Sequence, residues 1–158
     1  MPRPRIASAL IAALLIAPLA ASQAPAPAKL TEKDLQALKW IEGSWRGTGG
    51  GVPPFFERYR FDGPATLLVE HLDGEKVTST SRYALRNGEF ASVGDKVRSV
   101  ATAFDQTSIT FHSADPARGS YRWQRENANA WKAILKWPAS GNRAAGERVY
   151  ALERLPAK

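Results

Sequence analysis

Leu38-Lys39-Trp40-Ile41-Glu42-Gly43-Ser44-Trp45-Arg46-Gly47-Thr48-Gly49 is the stretch on which the fold turns. A short helical segment stops at a glycine, a tryptophan follows two residues later, and the chain then opens into glycines. That order predicts a helix plugging one end of a β-barrel, with Trp45 leading into the first strand. Immediately upstream, Thr31-Glu32-Lys33-Asp34 has the form of a capping box: the Thr31 hydroxyl can take a free amide, and Asp34 sits three residues on with a favourable dipole contact. Leu35, Leu38 and Ile41 then recur at helical spacing, so a short amphipathic helix is predicted over 32–42, ended by Gly43.

Downstream the pattern is β throughout. Short apolar or alternating runs at 44–48, 55–62, 65–72, 76–86, 89–93, 97–104, 108–113, 119–126, 130–137 and 147–155 read as strands. They are separated by turn residues, among them Asp62-Gly63-Pro64, Asp73-Gly74, Asn87-Gly88 and Asp115-Pro116. Asn87-Gly88 and Asp73-Gly74 are dipeptides of the type I′ hairpin turn, whose twist suits antiparallel neighbours. Nothing reads as a crossover helix, which argues against a parallel sheet. About ten antiparallel strands joined by hairpins make an up-and-down barrel or a sandwich, and the plugging helix favours the barrel. The fold class is therefore all-β, an antiparallel up-and-down barrel with a short N-terminal α-helix.

Alternation predicts the inner face. Phe55, Glu57, Tyr59 and Phe61 share one side of their strand, against Phe56, Arg58 and Arg60. Tyr83 and Leu85 oppose Arg82 and Arg86. Tyr121 and Trp123 oppose Arg122 and Gln124, and Trp131, Ala133, Leu135 and Trp137 oppose Lys132 and Lys136. The strands are thus apolar and aromatic inside and basic outside.

Residues 1–22 read as an export signal: Arg3 and Arg5, an uncharged apolar run from Ile6 to Ala17, Pro18, and small residues at Ala20, Ala21 and Ser22. The apolar run is shorter than the roughly 20 residues that span a bilayer. Cleavage after Ser22 would leave a Pro/Ala linker over 23–29, expected to be extended and unpacked, and a single domain over 30–156. The chain is then expected to be periplasmic or secreted. It contains no cysteine, which rules out a thiol nucleophile, a thiolate metal site and disulfide stabilisation. The formal charge of +7 is spread along many strands rather than clustered. This reads as a solvated basic exterior, with weak contact to anionic envelope surfaces as the functional alternative. Nucleic acid is not expected as a partner.

The Gly43-Ser44-Trp45 opening behind a short helix resembles the G-x-W start of calycin-type barrels, the lipocalins, fatty-acid-binding proteins and nitrobindins. The nearer resemblance is to a domain-of-unknown-function family of exported bacterial calycin-like barrels, over residues 35–155. Its opening leucine-tryptophan segment is matched by Leu38 to Gly47, its acidic residue near an aromatic by Glu57 and Tyr59, and its late strand pair by Phe111-His112-Ser113-Ala114-Asp115 and Tyr121-Arg122-Trp123. The His-Asp-Phe-Pro-like string of that family is replaced here by Ala114-Asp115-Pro116-Ala117-Arg118-Gly119, without its histidine. The resemblance implies a small hydrophobic ligand. The nitrobindin comparison implies haem held by a histidine, yet neither His71 nor His112 lies in a stretch that matches that ligand, so no cofactor is expected.

Six residues are the candidates to line a cavity: Glu57, Tyr59, His71, Tyr83, Trp123 and Trp131. Glu57, inward between aromatics, reads as a polar anchor for a ligand, or as one half of a structural ion pair with an arginine such as Arg82 or Arg60. His71 shares the inward parity of Leu67 and Val69 next to a turn, so it is a hydrogen-bonded core or rim residue, or else a haem ligand or a proton donor to a guest. His112 has the outward parity. Trp123 and Trp131 are either a cavity wall or part of a filled core. Gly47-Thr48-Gly49-Gly50-Gly51 lacks the lysine and helix of a phosphate loop, and Pro53-Pro54 forbids the helix. With two histidines and no cysteine, a site of three histidine nitrogens on zinc is impossible within one chain. No catalytic set is legible. The functional expectation is an exported barrel that binds a small hydrophobic molecule; the alternatives are an envelope module with a filled barrel and, behind it, a barrel enzyme using Glu57 and His71.

Overall fold

The computed structural model describes residues 24–156; the expected signal segment 1–22 lies outside them. The helix α1 spans Glu32–Ala37, and a 3₁₀ turn continues it over Leu38–Ile41. Thr31 caps α1 as predicted: its hydroxyl accepts from the Asp34 amide at 3.3 Å, and the Asp34 carboxylate accepts from the Thr31 amide at 2.7 Å. The helix predicted over 32–42 tightens after Ala37. Leu35, Leu38 and Ile41 are spaced by three, which stacks them on one side of a 3₁₀ turn, and all three are fully buried.

Ten strands follow: β1 Gly43–Gly49, β2 Phe55–Phe61, β3 Thr66–Asp73, β4 Lys76–Arg86, β5 Glu89–Val93, β6 Ser99–Phe104, β7 Ser108–Ser113, β8 Ser120–Arg125, β9 Ala130–Trp137 and β10 Gly146–Arg154. Each pairs antiparallel with its neighbours in the chain, and β1 pairs with β10 to close the barrel, with Trp45 opposite Arg154 and Gly49 opposite Tyr150. The Asn87-Gly88 turn has positive φ at both residues, 53° and 80°, as a type I′ turn requires. At the β3–β4 turn the loop is Gly74-Glu75 rather than Asp73-Gly74, because Asp73 pairs with Lys76. Positive φ is there confined to Gly74, at 61°, which fits a II′ turn with glycine at its first central position. A register shift between His71 and Leu72 accompanies it.

The end of the expected linker is not unpacked. β5 and β6 meet at a single register pair, Ala91 with Val100. The Ala28 amide donates to the Ala101 carbonyl and the Leu30 amide to the Gly88 carbonyl, both at 2.8 Å, so the chain ahead of α1 laces this weak seam. An edge with unpaired carbonyls is satisfied by whatever backbone lies beside it, and nothing in Pro/Ala composition announces that.

α1 and its 3₁₀ turn close one end of the barrel. The Trp45 indole N–H donates to the Ile41 carbonyl at 2.7 Å. The Arg154 guanidinium lies 4.1 Å from the centre of the Trp45 ring and donates to the carbonyls of Glu42 at 2.6 Å, Trp40 at 2.9 Å and Ala128 at 3.2 Å. Trp45 therefore seals this end, as its place after the helix predicts, with Arg154 tying the last strand to the helix.

Candidate functional site

Strand alternation carries the inward residues of β2, β3, β4, β8, β9 and β10 to one space at the other end of the barrel. A cavity of about 430 Å³ opens there, and all six residues singled out from the sequence line it: Glu57, Tyr59, His71, Tyr83, Trp123 and Trp131. The interior is therefore neither a solid core nor a bare channel. Its floor is a set of interlocked rings: Tyr59 meets Trp123 and Trp131 edge-on at centroid distances of 5.8 and 5.3 Å, and Tyr83 meets Trp123 at 5.3 Å. These are favoured aromatic geometries. At the mouth stand Val52, in the β1–β2 loop and 42% exposed, and His71, whose side chain is 45% exposed.

Glu57 is the one acidic residue lining the cavity and is 9% exposed. Its partners differ from those the sequence suggested. Arg58 and Arg60 project from the outer face of β2 and hold Glu70 instead, at 2.6 and 3.1 Å, and Arg82 has the outward parity of β4. Inside, the Tyr59 hydroxyl donates to Glu57 Oε2 at 2.6 Å, and His71 Nδ1 lies 3.1 Å from Oε1. The register explains the pair: Glu57 on β2 is directly opposite His71 on β3, and Tyr59 stands two residues along on the same face. Buried carboxylates need such partners.

The titration of these groups follows from the contacts. The hydrogen bond to Glu57, reinforced by its charge, raises the pKa of His71 above 6.5 against the opposing effect of burial. Burial first, then the Glu57 charge and hydrogen bond, push the Tyr59 phenol well above 10. Burial pushes Tyr83 up to about 12, although its hydrogen bond with Tyr121 works the other way. The hydroxyls of Tyr83 and Tyr121 are 3.0 Å apart. Tyr59 and Tyr83 are thus neutral hydrogen-bonding groups in the cavity wall. The Nδ1–H of His71 turned to a carboxylate leaves Nε2 at the mouth, with no hydrogen-bond partner among the described residues.

Sequence reasoning missed Tyr121, Tyr150, Phe55 and Ser81 as lining residues. Phe55 and Tyr121 carry the inward parity already assigned to their strands. Tyr150 has no such signal, because its place beside β1 depends on the closure pairing of Gly49 with Tyr150. Phe55 packs edge-on to Tyr150 at 5.5 Å, and its ring fills the space that a side chain on Gly47 would need. Trp131 is 1% exposed and its indole N–H has no acceptor among the described residues.

His112 lies on the outer face, with Nδ1 2.7 Å from the Thr102 hydroxyl, and burial lowers its pKa. It lines a separate outer depression with Trp137, Pro116 and the Ala24-Pro25 segment, so the two histidines do not converge. His71 stands at the rim with Nδ1 on Glu57, and among the described residues no lysine or arginine lines the cavity. Among the described residues no group of three or more histidine or acidic side chains is placed to hold a metal ion. No protein-family model matches the chain, and no curated protein matches it.

Proposed function

We propose that this chain is an exported, calycin-type barrel that binds a small and largely apolar molecule in its open end. One observation carries the reading. The cavity of about 430 Å³ falls within the range of small-molecule pockets, and its apolar, aromatic walls surround a few convergent polar groups. Its polar groups are specific in place: the Tyr59–Glu57–His71 chain near the mouth and the Tyr83–Tyr121 hydroxyl pair. Barrels close a sheet without edges, so their interior is free to evolve as a binding space while the strands hold the fold. The leader-like residues 1–22 support the export part of the proposal.

Histidine paired with a carboxylate is also the orienting half of a hydrolytic triad, but none of the described hydrogen bonds brings a hydroxyl nucleophile to His71. Binding is the better-supported reading. Native mass spectrometry of the protein purified from its own cell envelope, set against its denatured mass, tests it. A reproducible added mass that disappears on denaturation is expected. A bare native mass, together with no displacement of bound water signal or heat by any apolar probe, would overturn it.

A further inference from the structure

We infer that the cavity selects an organic cation: a compact guest with an aromatic or alkyl body and one ammonium head seated against Glu57. The inference rests on the cavity being a ligand site and names the class of ligand.

The chain holds 22 lysines and arginines, and none of those among the described residues lines the cavity. Outward parity gives Arg58, Arg60, Arg82, Arg122, Lys132 and Lys136 to the exterior; Arg148 has the inward parity of Tyr150 but is exposed, with a guanidinium N–H donating to the Tyr150 hydroxyl at 3.5 Å from outside the lining. The cavity's one acidic group, Glu57, is 9% exposed. A carboxylate offers about four lone-pair sites on its two oxygens. Tyr59 takes a site on Oε2 and His71 one on Oε1, so further N–H donors can be received. Around it stand the rings of Tyr59, Tyr83, Trp123, Trp131, Phe55 and Tyr150. Aromatic faces carry the negative part of the ring quadrupole and attract ammonium groups, most strongly where water is excluded. An anionic head would meet both a carboxylate and these faces.

His71 does not cancel this preference. As a neutral imidazole it donates the same Nδ1–H bond and leaves the carboxylate charge in place. Among the described residues the charged group facing it is Glu57 on β2; its register partner on β4 is Ser79. With His71 as the neutral imidazole, the cavity presents one carboxylate in an aromatic box.

Three probes of one shape test the inference: 2-naphthylmethylamine, 2-naphthylmethanol and 2-naphthoate, titrated calorimetrically into the purified protein at pH 8. The ammonium probe is expected to bind about tenfold or more tightly than the alcohol, with the carboxylate weakest. Glu57→Gln is expected to abolish the amine's advantage over the alcohol, read as the ratio of the two affinities in the variant. Equal affinities for the three, or tightest binding of naphthoate, would overturn cation selectivity while leaving the cavity as a ligand site. An amine preference that persists in Glu57→Gln would overturn the assignment to Glu57. If none of the three binds, the ligand-site reading fails, and this inference with it. Should Glu57→Gln not fold, the comparison of probes on the unaltered protein decides.

Discussion

Removing the Arg154 side chain should unfasten the sealed end of the barrel. The guanidinium makes three hydrogen bonds to backbone carbonyls, two of them part-buried, and covers the Trp45 ring at 4.1 Å. A hydrogen bond from a charged donor contributes about 1.5–3 kcal/mol. Counting the bonds to Glu42 and Trp40 at the low end gives about 3 kcal/mol, and the cation–π contact adds about 0.5–1 kcal/mol. Against this stands the cost of desolvating the guanidinium, since burial is the first cause lowering its pKa from the ordinary arginine value. A net loss of about 2–3 kcal/mol is expected for Arg154→Ala, a large part of the roughly 5–15 kcal/mol that stabilises a domain. Urea unfolding followed by tryptophan fluorescence reads it directly. With a slope of about 1–3 kcal/mol per molar, the midpoint should fall by about 0.7–3 M. Arg154→Lys should recover less than half, because an ammonium group cannot span three carbonyls and stack on a ring. A loss below about 1 kcal/mol, or full recovery by lysine, would refute the view that this residue fastens the last strand to the helix.

Gly43→Ala should cost about 2 kcal/mol or more, because φ is 126° there and an added Cβ would meet the Arg154 guanidinium; thermal melting against wild type checks this. Tyr59→Phe should destabilise by about 1–3 kcal/mol by leaving the buried Glu57 oxygen without its donor, and a chemical-denaturation difference near zero would mean that water replaces the hydroxyl. The folded pKa of His71 is raised above 6.5, so its pairing with Glu57 stabilises fully below 6.5 and the contribution is lost as pH rises through the folded pKa. Wild type should therefore lose stability relative to His71→Gln as pH rises above 6.5, and a flat difference would show that the pair is not coupled to folding.

Much of the barrel was legible because strands and hairpins are local. Strand alternation set the inward parity of Tyr59, Tyr83, Trp123 and Trp131 without any knowledge of pairing partners. The Asn87-Gly88 turn needs two residues that accept positive φ, and those residues name themselves. Where local chemistry was ambiguous the reading slipped. Asp73-Gly74 and Gly74-Glu75 are both acceptable loops, and the choice was made by the β3–β4 register beside a bulge. The Pro/Ala stretch gave no sign that residues 28–30 would lie against the β5–β6 seam, since the free carbonyls that hold them belong to Ala101 and Gly88.

Glu57 divides the two kinds of information most clearly. Its inward place, among aromatics, followed from the residues on either side of it. Its partner did not: the arginines near it in sequence have outward parity, and the group that meets it is His71, brought opposite by the β2–β3 register. By itself the sequence determined a capped helix, a succession of antiparallel strands and which side chains share a face, because those depend on φ preferences and a two-residue period. Only the tertiary structure decided that β1 closes on β10, that Tyr150 therefore joins the wall, and that an open space remains above the floor of rings. Closure and cavity are properties of contacts between residues about a hundred positions apart, and their energy depends on how all ten strands pack at once.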